Sequence, residues 1–402
     1  MARANIVVLG GSFAGLTAAF DLKRNLRGSA DVTVIARDDR FVFIPSLIWV
    51  VPGWRTEQQV TFRLQPALAA WSIRFVKARA DRIDPERRTV VTDSGEFTYD
   101  YLVIATGPQF DWEAVPGLGP HGGYTQSICS LPHALDAAMA WREFLKEPGP
   151  VVLGATQLAS CFGAEYEMVF NIDRALREAG VRDRAPVTFI TSEPYLGHFG
   201  IGGMRGGQKM LEIFFKLLNI EPIVSVATEE VTPTEVRLSG GRTVPYKYAI
   251  IIPPFKGVEA IRNSPGLGDA RGFVPVNDRY QHPAFDRIYA AGVAVAVKPP
   301  EPTPVPSGVP KTGYMSEVMA KVAAHNIVAD ITGGEPKELP FAQIRALCIM
   351  DAGQQGVILL SDHIFRPRKY ELLIPGPWSH WAKLAFEKYF MWKMFGGHTN
   401  LP

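Results

Sequence analysis

Cys129, Cys161 and Cys348 are the three cysteines of the 402-residue chain, and a thiol is the side chain best suited to sulfur and redox chemistry. They lie too far apart for a CxxC-type zinc site, and an odd number does not build a secreted disulfide framework. No metal is expected, and any role for the thiols is chemical. Cys161 falls in the early part of a predicted helix, where the helix dipole favours a thiolate; an inert core thiol fits the same spacing. His133, Glu165, Glu167 and His198 are candidate proton handlers. Glu165 lies four residues after Cys161 and shares its helix face, whereas Glu167, six residues on, points roughly 120° away. For each of these a surface or capping role is the alternative.

A second chemical signature is a glycine turn, Gly10-Gly11-Ser12-Phe13-Ala14-Gly15, between an apolar run (Asn5 to Gly10) and an alanine-rich helical stretch reaching about Leu26. Such a turn cradles a pyrophosphate on backbone N–H groups at a helix N-terminus. Ser12 stands where the second glycine of GxGxxG belongs. The acidic residue that would hold a ribose is replaced by Ala36-Arg37 ahead of Asp38 and Asp39. A second strand–turn–helix, Gly154 to Cys161, keeps one glycine, so it is expected to preserve the fold without a nucleotide.

These residues need elements to position them. Strand signals at 32–35, 74–78, 101–107, 187–190 and 287–292, with helices at about 131–145 and 312–331, repeat a βαβ pattern twice. Length and a hydrophobic content of 47% suit two to three domains with a large core. The expected fold class is α/β: two Rossmann-like dinucleotide-binding domains with a C-terminal amphipathic membrane-binding region. Residues 1–115 plus 276–332 are expected to form the first dinucleotide-binding domain, 116–275 a second Rossmann-like unit with a vestigial nucleotide site, and 333–402 a C-terminal interaction region. The net charge of +2 argues against a nucleic-acid partner. No secretory signal peptide and no bilayer-spanning run are visible.

Several stretches together resemble the sulfide:quinone oxidoreductase family of two-dinucleotide-domain flavoproteins. They are the opening turn, Ala105-Thr106-Gly107, Tyr289-Ala290-Ala291-Gly292, Glu193-Pro194-Tyr195-Leu196-Gly197-His198 and, most specifically, Val309-Pro310-Lys311-Thr312-Gly313-Tyr314-Met315. The three cysteines and the tail from Pro375 to Phe390 complete the likeness, which covers nearly the whole chain. Flavocytochrome c-type sulfide dehydrogenases and type II NADH:quinone oxidoreductases are the alternative relatives. The resemblance implies FAD as cofactor, held by Gly10, Gly11, Ser12, Gly15, Ala36, Arg37, Ser46, Ala78, Thr106, Gly107, Gly292, Lys311, Thr312 and Gly313. It implies a redox bridge between Cys161 and Cys348, Cys129 as a third cysteine, and Glu167 and His198 ahead of the other proton handlers. Sulfide would be oxidised to sulfur or polysulfide, with electrons passed to membrane quinone. The quinone would lie against Ile349, Phe386, Lys388 and Phe390. Val293 replaces the aspartate that usually ends the third flavin motif. A flavin-binding scaffold without catalysis is the non-enzyme alternative, and a homo-oligomer is left open.

The tail adds a membrane argument. Trp378, Trp381, Ala385, Tyr389 and Trp392 form an aromatic stripe at helical spacing, with His380, Lys383 and Glu387 opposite. Tryptophan and tyrosine favour the lipid headgroup zone, so the helix is expected to lie on a prokaryotic-type cell membrane as a peripheral, monotopic attachment; a core-packing helix is the alternative. From Arg366 onward six basic residues face two acidic ones, so the tail carries +4 and the preceding chain −2, a bias suited to an anionic surface.

Overall fold

The computed structural model describes residues 3–401. The chain opens with β1 (Ala4–Leu9), α1 (Phe13–Leu26), β2 (Ala30–Ala36), a short helix α2 (Leu47–Val50), β3 (Arg74–Lys77) and β4 (Tyr101–Ile104). It then builds α3 (Leu131–Lys146), β5 (Val151–Ala155), α4 (Phe162–Glu178), β6 (Val187–Ile190), α5 (Gly207–Leu217), β7 (Ile220–Ile223) and β8 (Tyr248–Ile252). It returns through β9 (Ile288–Ala290) and α6 (Gly313–Thr332) and finishes with β10 (Ala346–Asp351), β11 (Gly356–Ser361), β12 (Glu371–Pro375) and α7 (Pro377–Gly396).

Two parallel sheets result, in the orders β9-β4-β1-β2-β3 and β7-β6-β5-β8. Their central strands, such as Ile6–Leu9 and Val151–Ala155, are buried on both faces. Continuous rather than alternating apolar runs mark strands covered by helices on both sides. Two antiparallel meanders flank the sheets, at Ala80–Thr98 and Thr228–Pro245. β10, β11 and β12 form a third, antiparallel sheet on which α7 packs.

In both parallel sheets the loops after the carboxyl ends of the strands form the crevice in which such folds bind ligands. α1 packs along α6, so the first glycine turn and the Lys311-Thr312-Gly313 segment open at one place. Pro377 fits the first turn of α7, where an N–H is unpaired in any case, and Gly397 closes it with φ +69. Among the described residues no helix is long and apolar enough to cross a membrane, and no cluster of three His, Cys, Asp or Glu could hold a metal ion.

Candidate functional site

The first glycine turn is locked by its own sterics. Gly10 has φ +119, and a Cβ there would collide with the Ala105 carbonyl; one at Gly15 would collide with the Gly10 carbonyl. α1 therefore starts against the end of β4. Ser12 caps α1 without a side-chain bond, so the first-turn N–H groups stay available for an anion. Gly11 lies against Ala36 and Leu64, and Ala78 donates its N–H to the Ala36 carbonyl at 3.0 Å. Thr106 and Gly107 follow β4, and Gly292 follows the neighbouring β9 with φ +75. At the start of α6, the Thr312 Oγ1 is buried without a partner, and Gly313 is packed on the Phe13 ring. A cradle that side chains would fill, together with an orphaned hydroxyl, fits a dinucleotide cofactor. Two residues of the expected set point elsewhere: Arg37 is exposed and pairs with Asp38 at 3.2 Å, and the Ser46 hydroxyl donates to Glu387.

Cys161 is the N-cap residue of α4, one position earlier than inside the helix. It shares an apolar cluster with Cys129, Phe110, Ala164, Val293 and Ala296. Cys348 reaches the same first turn from β10, since a Cβ on Gly163 would lie 3.9 Å from its Sγ. All three cysteines are free thiols. The expectation that the helix dipole lowers the Cys161 pKa is not met. Burial pushes this thiol up to about 12, with Cys129 and Glu165 adding to the rise and Lys311 opposing it. Burial likewise raises Cys348 to about 12, with Glu167 adding and Lys383 opposing, and raises Cys129 to about 11. Lys311 donates to the carbonyls of Val293 (3.1 Å) and Val295 (2.6 Å) and lies over the Phe273 ring. Burial pulls its ammonium down to about 7.

Beyond Cys348 lies a buried polar network. Glu167 Oε1 accepts from Lys383 Nζ and, at 2.6 Å, from the Asp351 N–H. Asp351 carries one carboxylate oxygen against His380 Nδ1 at 2.7 Å and the other against Trp49 Nε1 at 2.9 Å. Lys383 Nζ sits 5.4 Å from the centroid of the Trp49 ring. Desolvation raises the Glu167 pKa, and Lys383 works against it. Asp351 is not a site residue expected from the sequence, and Lys383 is expected only as part of the polar face of the tail helix. The signal was there in part: His380, Lys383 and Glu387 share one helix face, and the structure turns that face inward.

The remaining proton candidates occupy different surroundings. His198 is buried; Gly200 N–H donates to its Nδ1 at 3.2 Å, so Nε2 carries the proton and donates to Glu301 at 3.1 Å. His133 stands between Phe110 and Trp112, and burial lowers its pKa. Glu165 lies beside Glu193, with Thr191 between them.

On α7, Phe386 and Phe390 pack 5.5 Å apart and meet Phe43, while Phe390 also meets Phe13 of the glycine turn at 5.1 Å. The candidate quinone residues thus adjoin the cofactor cradle through rings. Ile349 is half-buried beside Cys348. Lys388 does not join them: it is exposed, because two residues from Phe386 is about 200° around an ideal helix.

A family model described as pyridine nucleotide-disulphide oxidoreductase matches residues 4–316. The chain is 39% identical over 404 residues to a sulfide-quinone reductase of Aquifex aeolicus (strain VF5), covering 98% of this chain and 92% of the relative. The X-ray structure of the sulfide:quinone oxidoreductase from Aquifex aeolicus superimposes with a TM-score of 0.93 at 38% identity, over 98% of this chain and 92% of that one. A structure of NDH2 from Plasmodium falciparum shares the fold, with a TM-score of 0.76 at 14% identity over 99% and 97% of the two chains.

Proposed function

The chain belongs to the sulfide-quinone reductases of the pyridine nucleotide-disulphide oxidoreductase family, and from that membership we propose that it oxidises sulfide to sulfur or polysulfide at Cys161 and Cys348, with membrane quinone as acceptor. The observation that carries this reading is the position of Cys348. One side of it faces the first turn of α4, where Cys161 sits, and the other faces the Glu167–Lys383 pair that joins this strand to the helix of Phe386. Sulfur chemistry and the quinone side meet on one strand.

Hydrosulfide attacks the bridged form of the pair, breaking the S–S bond; a persulfide forms on Cys161 and Cys348 leaves as a thiolate. Lys383 stabilises negative charge at Cys348. FAD, held by the Gly10–Gly15 turn, Gly292, Thr312 and Gly313, supplies an acceptor for the electron pair and a donor to quinone, chemistry no side chain provides. Residues 1–115 with 276–332 form its domain in this reading. Glu167, beside Cys348, and His198, fixed by Gly200 and Glu301, are the proton handlers of this reading. In the second glycine turn Gly154 is pinned against the Ile190 carbonyl and bulkier residues follow, which supports a site without nicotinamide. The quinone ring lies against Phe386, Phe390 and Ile349. Lys383 replaces Lys388 as the basic residue of that site.

α7 supports attachment to a membrane surface. Its tryptophans Trp378, Trp381 and Trp392 are 56%, 69% and 53% exposed, whereas Lys383, Glu387 and Lys393 are buried. Tryptophans outward with Lys383, Glu387 and Lys393 inward is the reverse of a helix that meets water. To test the sulfur site, Cys161→Ser and Cys348→Ser proteins are mixed anaerobically with sulfide. Both should retain bound flavin and lose its bleaching by sulfide; normal bleaching in either variant removes the proposed pair.

A further inference from the structure

We infer that Glu165 and Glu193 form a carboxyl pair that shares one proton and so keeps a single negative charge beside Cys161, where it opposes a thiolate. The inference deepens the sulfur-site reading and rests on it. Glu165 and Glu193 are 1% and 0% exposed. Thr191 Oγ1 stands 3.1 Å from Glu165 Oε1 and 3.2 Å from Glu193 Oε2. Glu193 also accepts from the Tyr166 hydroxyl at 2.7 Å and the Phe199 N–H at 2.5 Å. The second Glu165 oxygen is buried with no partner. Among the described residues neither carboxyl has a cation as partner: every contact is a neutral hydroxyl or amide.

Two carboxyl groups in a desolvated site without a cation cannot both ionise, so the pair holds a proton at neutral pH and titrates as a unit. Burial pushes both upward, and Glu193 adds to the rise at Glu165, in agreement with this geometry. With one proton the pair carries one negative charge. Glu165 sits one helical turn from Cys161, its N–H directed to the Cys161 carbonyl, and its charge opposes a thiolate there. The other titratable groups facing Cys161 are Cys129 and Lys311, and the one facing the carboxyls is Tyr166.

The test uses the reduced holoenzyme. Alkylation of Cys161 by iodoacetamide is followed against pH by peptide mass spectrometry in wild type, Glu165→Gln and Glu193→Gln, with Cys348 as internal reference. Either substitution should speed Cys161 alkylation at a given alkaline pH by about tenfold, one pKa unit, and leave the Cys348 profile in place. A Cys161 profile that does not move overturns the pair. Infrared spectra of the wild-type protein give a second readout that needs no variant to fold. A protonated carboxyl band should persist at neutral pH, and its absence also overturns the inference. Neither measurement uses sulfide, so a protein that passes both yet fails to bleach with sulfide refutes the sulfur reading alone.

Discussion

Lys383 pairs with Glu167 beside Cys348 and, in the proposed reading, joins the sulfur side to the quinone side, so removing its charge has a signed consequence. A buried carboxylate that loses its only ammonium partner typically costs about 3–5 kcal/mol, so Lys383→Met should lower unfolding stability by about 3 kcal/mol at neutral pH. Burial already raises the Glu167 pKa. A carboxyl raised in the folded state loses stability as pH climbs from its unfolded value through its folded one. The deficit should therefore shrink in urea melts below pH 5 and widen toward neutrality, and a deficit independent of pH would remove Glu167 from the explanation. Lys311 behaves in the opposite sense. Its pKa is pulled down to about 7 by burial, so the folded state resists protonation and stability should rise with pH from about 7 toward the ordinary lysine range. Lys311→Met should flatten that slope. At this scale the sequence was legible in the residue types around each sulfur and not in their surroundings. Cys161 and Cys348 are candidates by residue type, and Glu167 by the family resemblance, but the depth that overrides the helix dipole at Cys161, and the partnership of Glu167 with a lysine 216 positions away, arise from tertiary packing alone.

The C-terminal helix shows what periodicity can and cannot decide. The wheel separates Trp378, Trp381 and Trp392 from His380, Lys383 and Glu387, and the structure keeps that separation. Periodicity gives no sign of which face turns inward. Arg55 and Ser46 meet Glu387, Glu317 meets Lys393, and Asp351 meets His380, so partners from four distant segments settle it. The exposed ring face extends along β12, where Leu372 and Ile374 are exposed too. Replacing Trp378, Trp381 and Trp392 together by serine should weaken co-sedimentation with anionic vesicles by at least about tenfold, since each large apolar side chain removed from water contributes on the order of 1.5–3 kcal/mol. The melting temperature should move little, because all three rings are more than half exposed. Unchanged vesicle binding would assign them another partner.

Across the whole molecule, the cofactor cradle, the sulfur site and the C-terminal region depend on one another. Phe13 of the glycine turn packs on Phe390, Trp71 donates to the Gly396 carbonyl at 3.1 Å, and Arg24 bonds Thr399 at 2.9 Å. Deleting residues 377–402 would uncover Phe13 and Phe43 and strip Glu167 of Lys383, so the truncated chain should purify with much less flavin per protein than the full chain; equal flavin content would show the cradle to be independent. The two parallel sheets were legible because buried strands carry uninterrupted apolar runs and glycine turns recur at fixed offsets from them. The long-range joins between Cys348, Glu167 and α7 were not, since no local pattern encodes which loop end meets which helix. The central claim, that electrons run from sulfide through this cysteine pair to quinone, is tested most directly by the absorbance of the bound flavin under anaerobic conditions. Sulfide should bleach it, NADH should leave it unchanged, and a short-chain quinone added after sulfide should restore it. Bleaching by NADH with no response to sulfide would contradict the account.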